Sequence, residues 1–337
     1  MKYLLNIILL FLFGLIIACS SVLEDKGGVL TKIHEFDEYS STEFVVNVTD
    51  VLFRSGKVLF VDEGISKIVM MDQDFKSPEF IGNRGYGPEE LMSPTLLLTD
   101  KENLFIYDED KMKILNVDIL NGIVFNEMTL GAPLLTNTPV VDESTLYYTT
   151  PTEPVVQIQK FDLLKGIKLE GMKLPDNAVK SFFGRHVFTE ENGFITVTGY
   201  NTPVIEKYSK EWNLIDTYSL EEIPVIKERM DYDAPSKIRR KGTGTAKQTA
   251  TARITVTCAR LHGDTLYLLV YTLGTDLVSR SNTILKFKSV DSSWQPSGKL
   301  FLPEMGNYLT FAIQEDMGQL IAFERTSRAV QVFKIDE

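Results

Sequence analysis

The sequence predicts an all-β chain, a six-bladed β-propeller of four-stranded antiparallel blades in which an N-terminal strand closes the last blade. Three observations point there. Val58 to Asp72 (VLFVDEGISKIVMMD) aligns without a gap on Leu104 to Asp118 (LFIYDEDKMKILNVD), pairing Asp62 with Asp108, Lys67 with Lys113 and Asp72 with Asp118. Looser copies follow at Leu146 to Asp162, Phe194 to Tyr208, Leu266 to Phe287 and Leu320 to Phe333, which makes six repeats. Helical periodicity is nearly absent, and its best candidate, Glu221 to Arg229, is short and contains Pro224.

Each element follows from local chemistry. Every copy is preceded by a tight-turn signal: Ser55-Gly56, Glu102-Asn103, Glu143-Ser144, Asn192-Gly193, Gly263-Asp264 and Met317-Gly318. Upstream lie further strand-like stretches such as Thr95 to Thr99, Thr255 to Leu261 and Leu309 to Gln314, and downstream a variable outer strand such as Ile123 to Leu130 or Trp212 to Leu220. Four strands per period make a propeller blade. The last copy runs to Glu337 without an outer strand, whereas Lys32 to Val48 precedes the first complete blade with strand-like composition. Pairing the two would close the ring and remove both exposed edges.

Ahead of the repeats, Lys2 precedes an apolar run from Leu4 to Ile17 that ends in Ala18 and Cys19, followed by polar residues. The run is too short for a membrane span of about 20 apolar residues and has the order of a signal peptide. Leu15 to Cys19 resembles the lipobox of bacterial lipoproteins. That resemblance implies cleavage after Ala18 and a diacylglyceryl group on Cys19. The expected organisation is therefore a signal peptide at 1–18, a lipidated tether at 19–30 and the propeller at 31–337. Ser20 beside the lipidated cysteine implies, by the same resemblance, an outer-membrane anchor, facing the periplasm or the cell surface.

Composition narrows the partners. The formal charge of −11 opposes contact with nucleic acid and with anionic headgroups. With Cys19 acylated, Cys258 would have no disulfide partner. Ile81 to Leu91 (IGNRGYGPEEL), followed by Ser93-Pro94, a turn and Leu104 to Asp108, resembles the NHL-type propeller signature. Behind a lipobox, it is similar to the TolB-like six-bladed propeller lipoproteins of Bacteroidota.

In a four-stranded blade the blade-to-blade crossings and the loops between second and third strands emerge on one face, where ligand contacts are expected. Arg84 and Tyr86 sit there in a glycine-rich crossing whose backbone tolerates positive φ. Asp62 and Asp108 open loops on that side, and Arg280 lies in an enlarged loop from Thr272 to Asn282. The long insertion from Glu221 to Thr251 carries Arg239, Arg240 and Lys241, a cationic cluster whose guanidinium forks suit oxyanions such as carboxylates, sulfates or acidic sugars. Each of these groups has a plainer reading as a turn cap or a solvated charge. Arg185 and His186, beside a crossing, complete the candidates.

Catalytic signatures are sparse. The histidines His34, His186 and His262 have no metal-ligand spacing, no G-x-S-x-G elbow exists, and Asp108-Glu109-Asp110 lacks the rest of a calcium loop. No metal or cofactor is expected. Binding of a glycan, peptide or envelope protein on the loop-rich face is favoured over catalysis. A polysaccharide lyase or glycoside hydrolase with an axial carboxylate, His or Tyr site and a structural subunit of an outer-membrane complex are the alternatives.

Overall fold

In the computed structural model, residues 27–336 are described apart from 101–102, 119–122, 135–138, 151–156, 180–184, 234–253 and 291–292. The signal and lipidation residues, including Cys19, and the cationic Arg239, Arg240 and Lys241 lie outside the described residues.

The chain enters as β1 (Gly27–Phe36) and a small hairpin of β2 (Glu38–Ser40) and β3 (Glu43–Phe44), then builds six blades in sequence order. Blade 1 is β4 (Val48–Arg54), β5 (Lys57–Asp62), β6 (Lys67–Asp72) and β7 (Glu79–Ile81). Blade 2 is β8 (Pro94–Thr99), β9 (Leu104–Asp108), β10 (Lys113–Asp118) and β11 (Ile123–Thr129). Blade 3 is β12 (Val140–Asp142), β13 (Thr145–Tyr148), β14 (Gln157–Asp162) and β15 (Ile167–Lys173). Blade 4 is β16 (Arg185–Glu190), β17 (Gly193–Thr198), β18 (Val204–Ser209) and β19 (Leu214–Ser219). Blade 5 is β20 (Val256–His262), β21 (Thr265–Leu273), β22 (Ser279–Val290) and β23 (Ser293–Phe301). Blade 6 is β24 (Tyr308–Gln314), β25 (Gln319–Glu324) and β26 (Ala329–Ile335), with β1 as its outer strand.

Ring closure follows the expected route. β1 runs antiparallel to β26, pairing Leu30 with Ile335 and Phe36 with Val330. It starts earlier than the expected boundary at residue 31, because Gly27 to Val29 also pair in parallel with Lys299 to Phe301 of β23. A β-carbon at Gly27 would lie 2.2 Å from the Phe301 ring, so a larger residue in this seam between blades 5 and 6 would have to displace that exposed ring.

Apolar residues gather in six clusters, one between each pair of neighbouring blades. Val58 and Phe60 of blade 1 meet Ile321 and Phe323 of blade 6, while Leu59 and Val61 meet Leu104 and Ile106 of blade 2. The alternation along β5 thus sends successive side chains into the two flanking interfaces. A blade has no core of its own, and burying each such residue stabilises the ring by roughly 1.5–3 kcal/mol.

Two local details qualify the sequence reading. The turns at Ser55-Gly56 and Glu143-Ser144 have positive φ at both central residues (51° and 73°; 45° and 66°), the geometry that matches strand twist. The 221–229 segment is more helical than its periodicity implies: a short 3₁₀ turn at Leu220–Glu222 leads into α1 (Pro224–Asp233). Pro224 opens this helix, where its missing N–H costs nothing, and Ile223 and Ile226 pack between blades 4 and 5.

Candidate functional site

A recurring irregularity in the innermost strands shapes the axis. In blades 1, 2, 5 and 6 the first strand carries one extra residue against its neighbour, at Thr49, Thr95, Thr257 and Leu309. Such a bulge re-aims the side chains that follow it. All four residues, with Asp50, Leu96, Cys258 and Thr310 after them, line a funnel of about 430 Å³ on the crossing face. Tyr107, Tyr200 and Tyr271 also line it, with Glu109 and Arg325.

The floor is an ionic knot. Arg260 Nη2 pairs with Asp50 Oδ1 and donates to Thr310 Oγ1 (3.1 Å), while Nε donates to Phe311 O (3.0 Å). Asp50 also accepts N–H bonds from Leu97 (2.9 Å) and from Val51 (2.9 Å). Innermost strands leave one backbone edge unpaired, and these two side chains satisfy part of that edge for blades 2 and 6. Burial pushes the Asp50 carboxyl above its ordinary range against the pull of Arg260. Arg260 also borders two smaller hollows on the opposite side, so it separates the funnel from the far half of the axis.

On the funnel wall, Tyr107 Oη accepts the Leu134 N–H (3.0 Å), which leaves its own proton available for donation. Burial raises the Tyr107 phenol to about 12 and also raises Tyr200, so both stay neutral donors. Glu109 is raised by burial and by the like charges of Glu63 and Asp110. Arg325 is exposed and forms no ion pair among the described residues. Above its Asp50 and Arg260 floor the funnel wall therefore offers aromatic faces, phenolic donors, one carboxyl and one open guanidinium, the mixture that holds small polar ligands.

The residues nominated from sequence fall into different settings. Asp62 is fully buried and accepts N–H bonds from Val46, Asn47 and Gly64 (2.9, 2.9 and 3.0 Å) and the Tyr39 hydroxyl (3.2 Å). Asp108 accepts from Met92, Ser93 and Lys111 (2.7, 3.2 and 3.2 Å). Glu324, at the matching end of β25, accepts from Asn307, Thr326 and Ser327. In three blades the carboxylate ending the second strand thus clasps the incoming crossing and the next turn, which is the turn-capping reading.

Arg84 and the 72 % exposed Tyr86 stand on the crossing face in a loop folded around Glu90. The Gly87 N–H donates to Glu90 Oε2 (2.6 Å), and a β-carbon at Gly85 would fall 2.0 Å from the same oxygen. Lys111 pins the loop through the Gly87 and Glu90 carbonyls. Arg280 grips Asp276 with both Nη atoms (2.8 and 2.6 Å), holding that carboxyl down at about 2. Arg185 is enclosed with Glu206 (3.2 Å) and donates to the Val179 carbonyl. His186 is fully buried, and burial lowers it to about 3, with Arg260 adding to the shift.

None of the nominated residues that are described lines the funnel. Asp50 and Arg260 had a readable signal nonetheless: each is a charge in the interior of an innermost strand, VTDVLFR and VTCARLH.

No family model matches the chain, and no curated protein matches it in sequence. Solved structures do. The Myceliophteria thermophila Cps50 (Swd1) β-propeller domain aligns with a TM-score of 0.54 at 10% identity, covering 91% of this chain and 100% of that one. A streptogramin B lyase aligns at 0.53 and 11% identity (90% and 98% covered), and Kuenenia stuttgartiensis hydrazine synthase at 0.54 and 10% (87% and 78%). At such identities the likeness is one of fold. The chain is a six-bladed β-propeller.

Proposed function

We propose that this chain is an envelope-anchored lipoprotein, held at the outer membrane through Cys19, whose propeller captures a glycan, peptide or protein partner on its crossing face. The resemblance to TolB-like propeller lipoproteins belongs to the same reading. One observation carries it: the tyrosine-walled funnel ends on the Asp50 and Arg260 floor, so a ligand entering from the crossing face meets aromatic and donor groups and stops. Propellers host binding and catalysis alike, so the site and not the fold bears the proposal. A screen of the purified chain against glycan and peptide arrays tests it. Ligands whose affinity falls at least tenfold in Tyr271→Ala and Arg260→Gln support funnel capture; ligands indifferent to both changes refute it. Metabolic labelling with palmitate tests the anchor, and an unlabelled protein refutes that part.

The raised carboxyl of Glu109 favours a second reading, because a carboxyl pushed above its ordinary range by burial and like charges is better matched to general-acid work. A lyase or glycosidase acting in the funnel would turn over an array ligand and lose that turnover in Glu109→Gln.

A further inference from the structure

The groove between blades 5 and 6, on the face opposite the funnel, is unlike the rest of this acidic molecule. It is about 640 Å³ in volume and is lined by Lys286, Lys288 and Lys299, with Gly28, Gly298 and Gly318 contributing no side chains. Lys286 and Lys288 project on the same side of β22, two residues apart, and neither forms an ion pair among the described residues. Lys286 lies over the Tyr267 ring at 5.7 Å. Asp264 and Asp336 also border the groove, but Asp336 is engaged by Thr31 Oγ1 (2.9 Å) and Lys334. Exposed apolar side chains flank the lysines: Val290 follows Lys288 in the same strand end, and Met317 precedes Gly318.

The start of the described chain fixes what this groove faces. β1 begins at Gly27 beside Gly28, and its antiparallel pairing sets that end near Ile335, away from the crossing rim. Seven residues, 20–26, separate Cys19 from β1, a reach of at most about 27 Å when extended. A lipid on Cys19 therefore brings this face to the bilayer.

We propose that the groove docks on the phosphate headgroups of anionic membrane lipids, orienting the propeller so that the funnel points away from its own membrane. This rests on the lipoprotein reading. The Lys286 and Lys288 ammonium groups, which form no ion pair among the described residues, attract a negatively charged surface, and flanking apolar side chains suit the headgroup boundary.

The test uses the full lipidated chain in lipid nanodiscs, with lysine reactivity toward a water-soluble acylating reagent read by mass spectrometry. In discs containing phosphatidylglycerol we expect acylation of Lys286 and Lys288 to slow at least fivefold relative to phosphatidylcholine discs, while Lys227 on α1 is unchanged. Equal rates in both discs, or slowing at Lys227 in place of the groove, would overturn the proposal. Millimolar inorganic phosphate giving the same protection in neutral discs would reassign the groove to free phosphate and overturn the lipid assignment. Palmitate labelling separates the two readings: labelled protein with unprotected lysines refutes the orientation alone, whereas unlabelled protein removes the anchor and the orientation with it.

Discussion

Two arginine–carboxylate pairs have their arginines in innermost strands, and their surroundings give them opposite roles. Arg185 and Glu206 in blade 4 have side chains only 1% and 0% exposed, and among the described residues their polar contacts are internal, Thr196 Oγ1 and both backbone groups of Val179 among them. Arg260 and Asp50 sit on the axis with side chains 21% and 8% exposed, at the base of an open funnel. A sealed pair holds a crossing in place, while an open pair presents charge to whatever enters. Burial alone would rank the first as the more remarkable site; access ranks the second.

The largest effect should come from the sealed pair. Arg185→Met strands the Glu206 carboxylate in the core, and loss of one partner of a buried pair costs about 3–5 kcal/mol. Guanidinium unfolding midpoints would read it. A cost below about 1 kcal/mol would erase the contrast between the pairs. Adding Glu206→Leu should recover only part of the loss, because the Val179 N–H and carbonyl remain without their side-chain partners.

Next comes His186, whose ring neighbours Arg185 in sequence yet feels Arg260. In the unfolded chain the imidazole takes a proton below about 6.5, whereas in the fold it resists until about 3. Unfolding therefore binds a proton in that window, and stability falls as pH drops through it. Between pH 7 and pH 5 the loss from this residue is about 2 kcal/mol. Denaturation at both values, in wild type and His186→Gln, checks it: the variant should lose distinctly less. Equal losses would show that the ring is not held neutral.

These residues also mark where sequence reading stops. Strands, turns and ring closure were legible because they depend on period-two apolar runs and on glycine or polar turn residues, all local. Asp62 and Asp108 were visible as a repeated acidic strand end, but their use as clasps required knowing which N–H groups face them. Arg185 and His186 attracted notice by type, although the blade interior claims both. Asp50 and Arg260, 210 positions apart, meet only because the ring brings blades 1 and 5 to one axis. The bulges at Thr49, Thr95, Thr257 and Leu309 leave no mark in composition, and without them the funnel wall cannot be assigned.

On the axis, Arg260→Gln should cost about 1 kcal/mol, near the net value of an ordinary hydrogen bond, since water from the funnel can reach Asp50. Its main effect should fall on binding, with at least a tenfold loss for any funnel ligand measured by calorimetry. A stability loss matching that of Arg185→Met would mean that the axial pair, too, is chiefly structural.

The smallest effect should be at Arg280. Its fork is filled by Asp276 in an exposed hairpin tip, and such pairs contribute little in water. Arg280→Ala is expected to leave the unfolding midpoint unchanged. An incoming carboxylate would have to displace Asp276 before using this guanidinium, so Arg280→Ala should leave binding of an anionic ligand untouched as well. Asp276→Ala does the reverse: it frees the fork and should strengthen such binding in a salt-sensitive way if the hairpin borders the ligand path. A titration of both variants at low and high salt therefore separates a charge reserved for the hairpin from one available to a partner, the same distinction that divides Arg185 from Arg260.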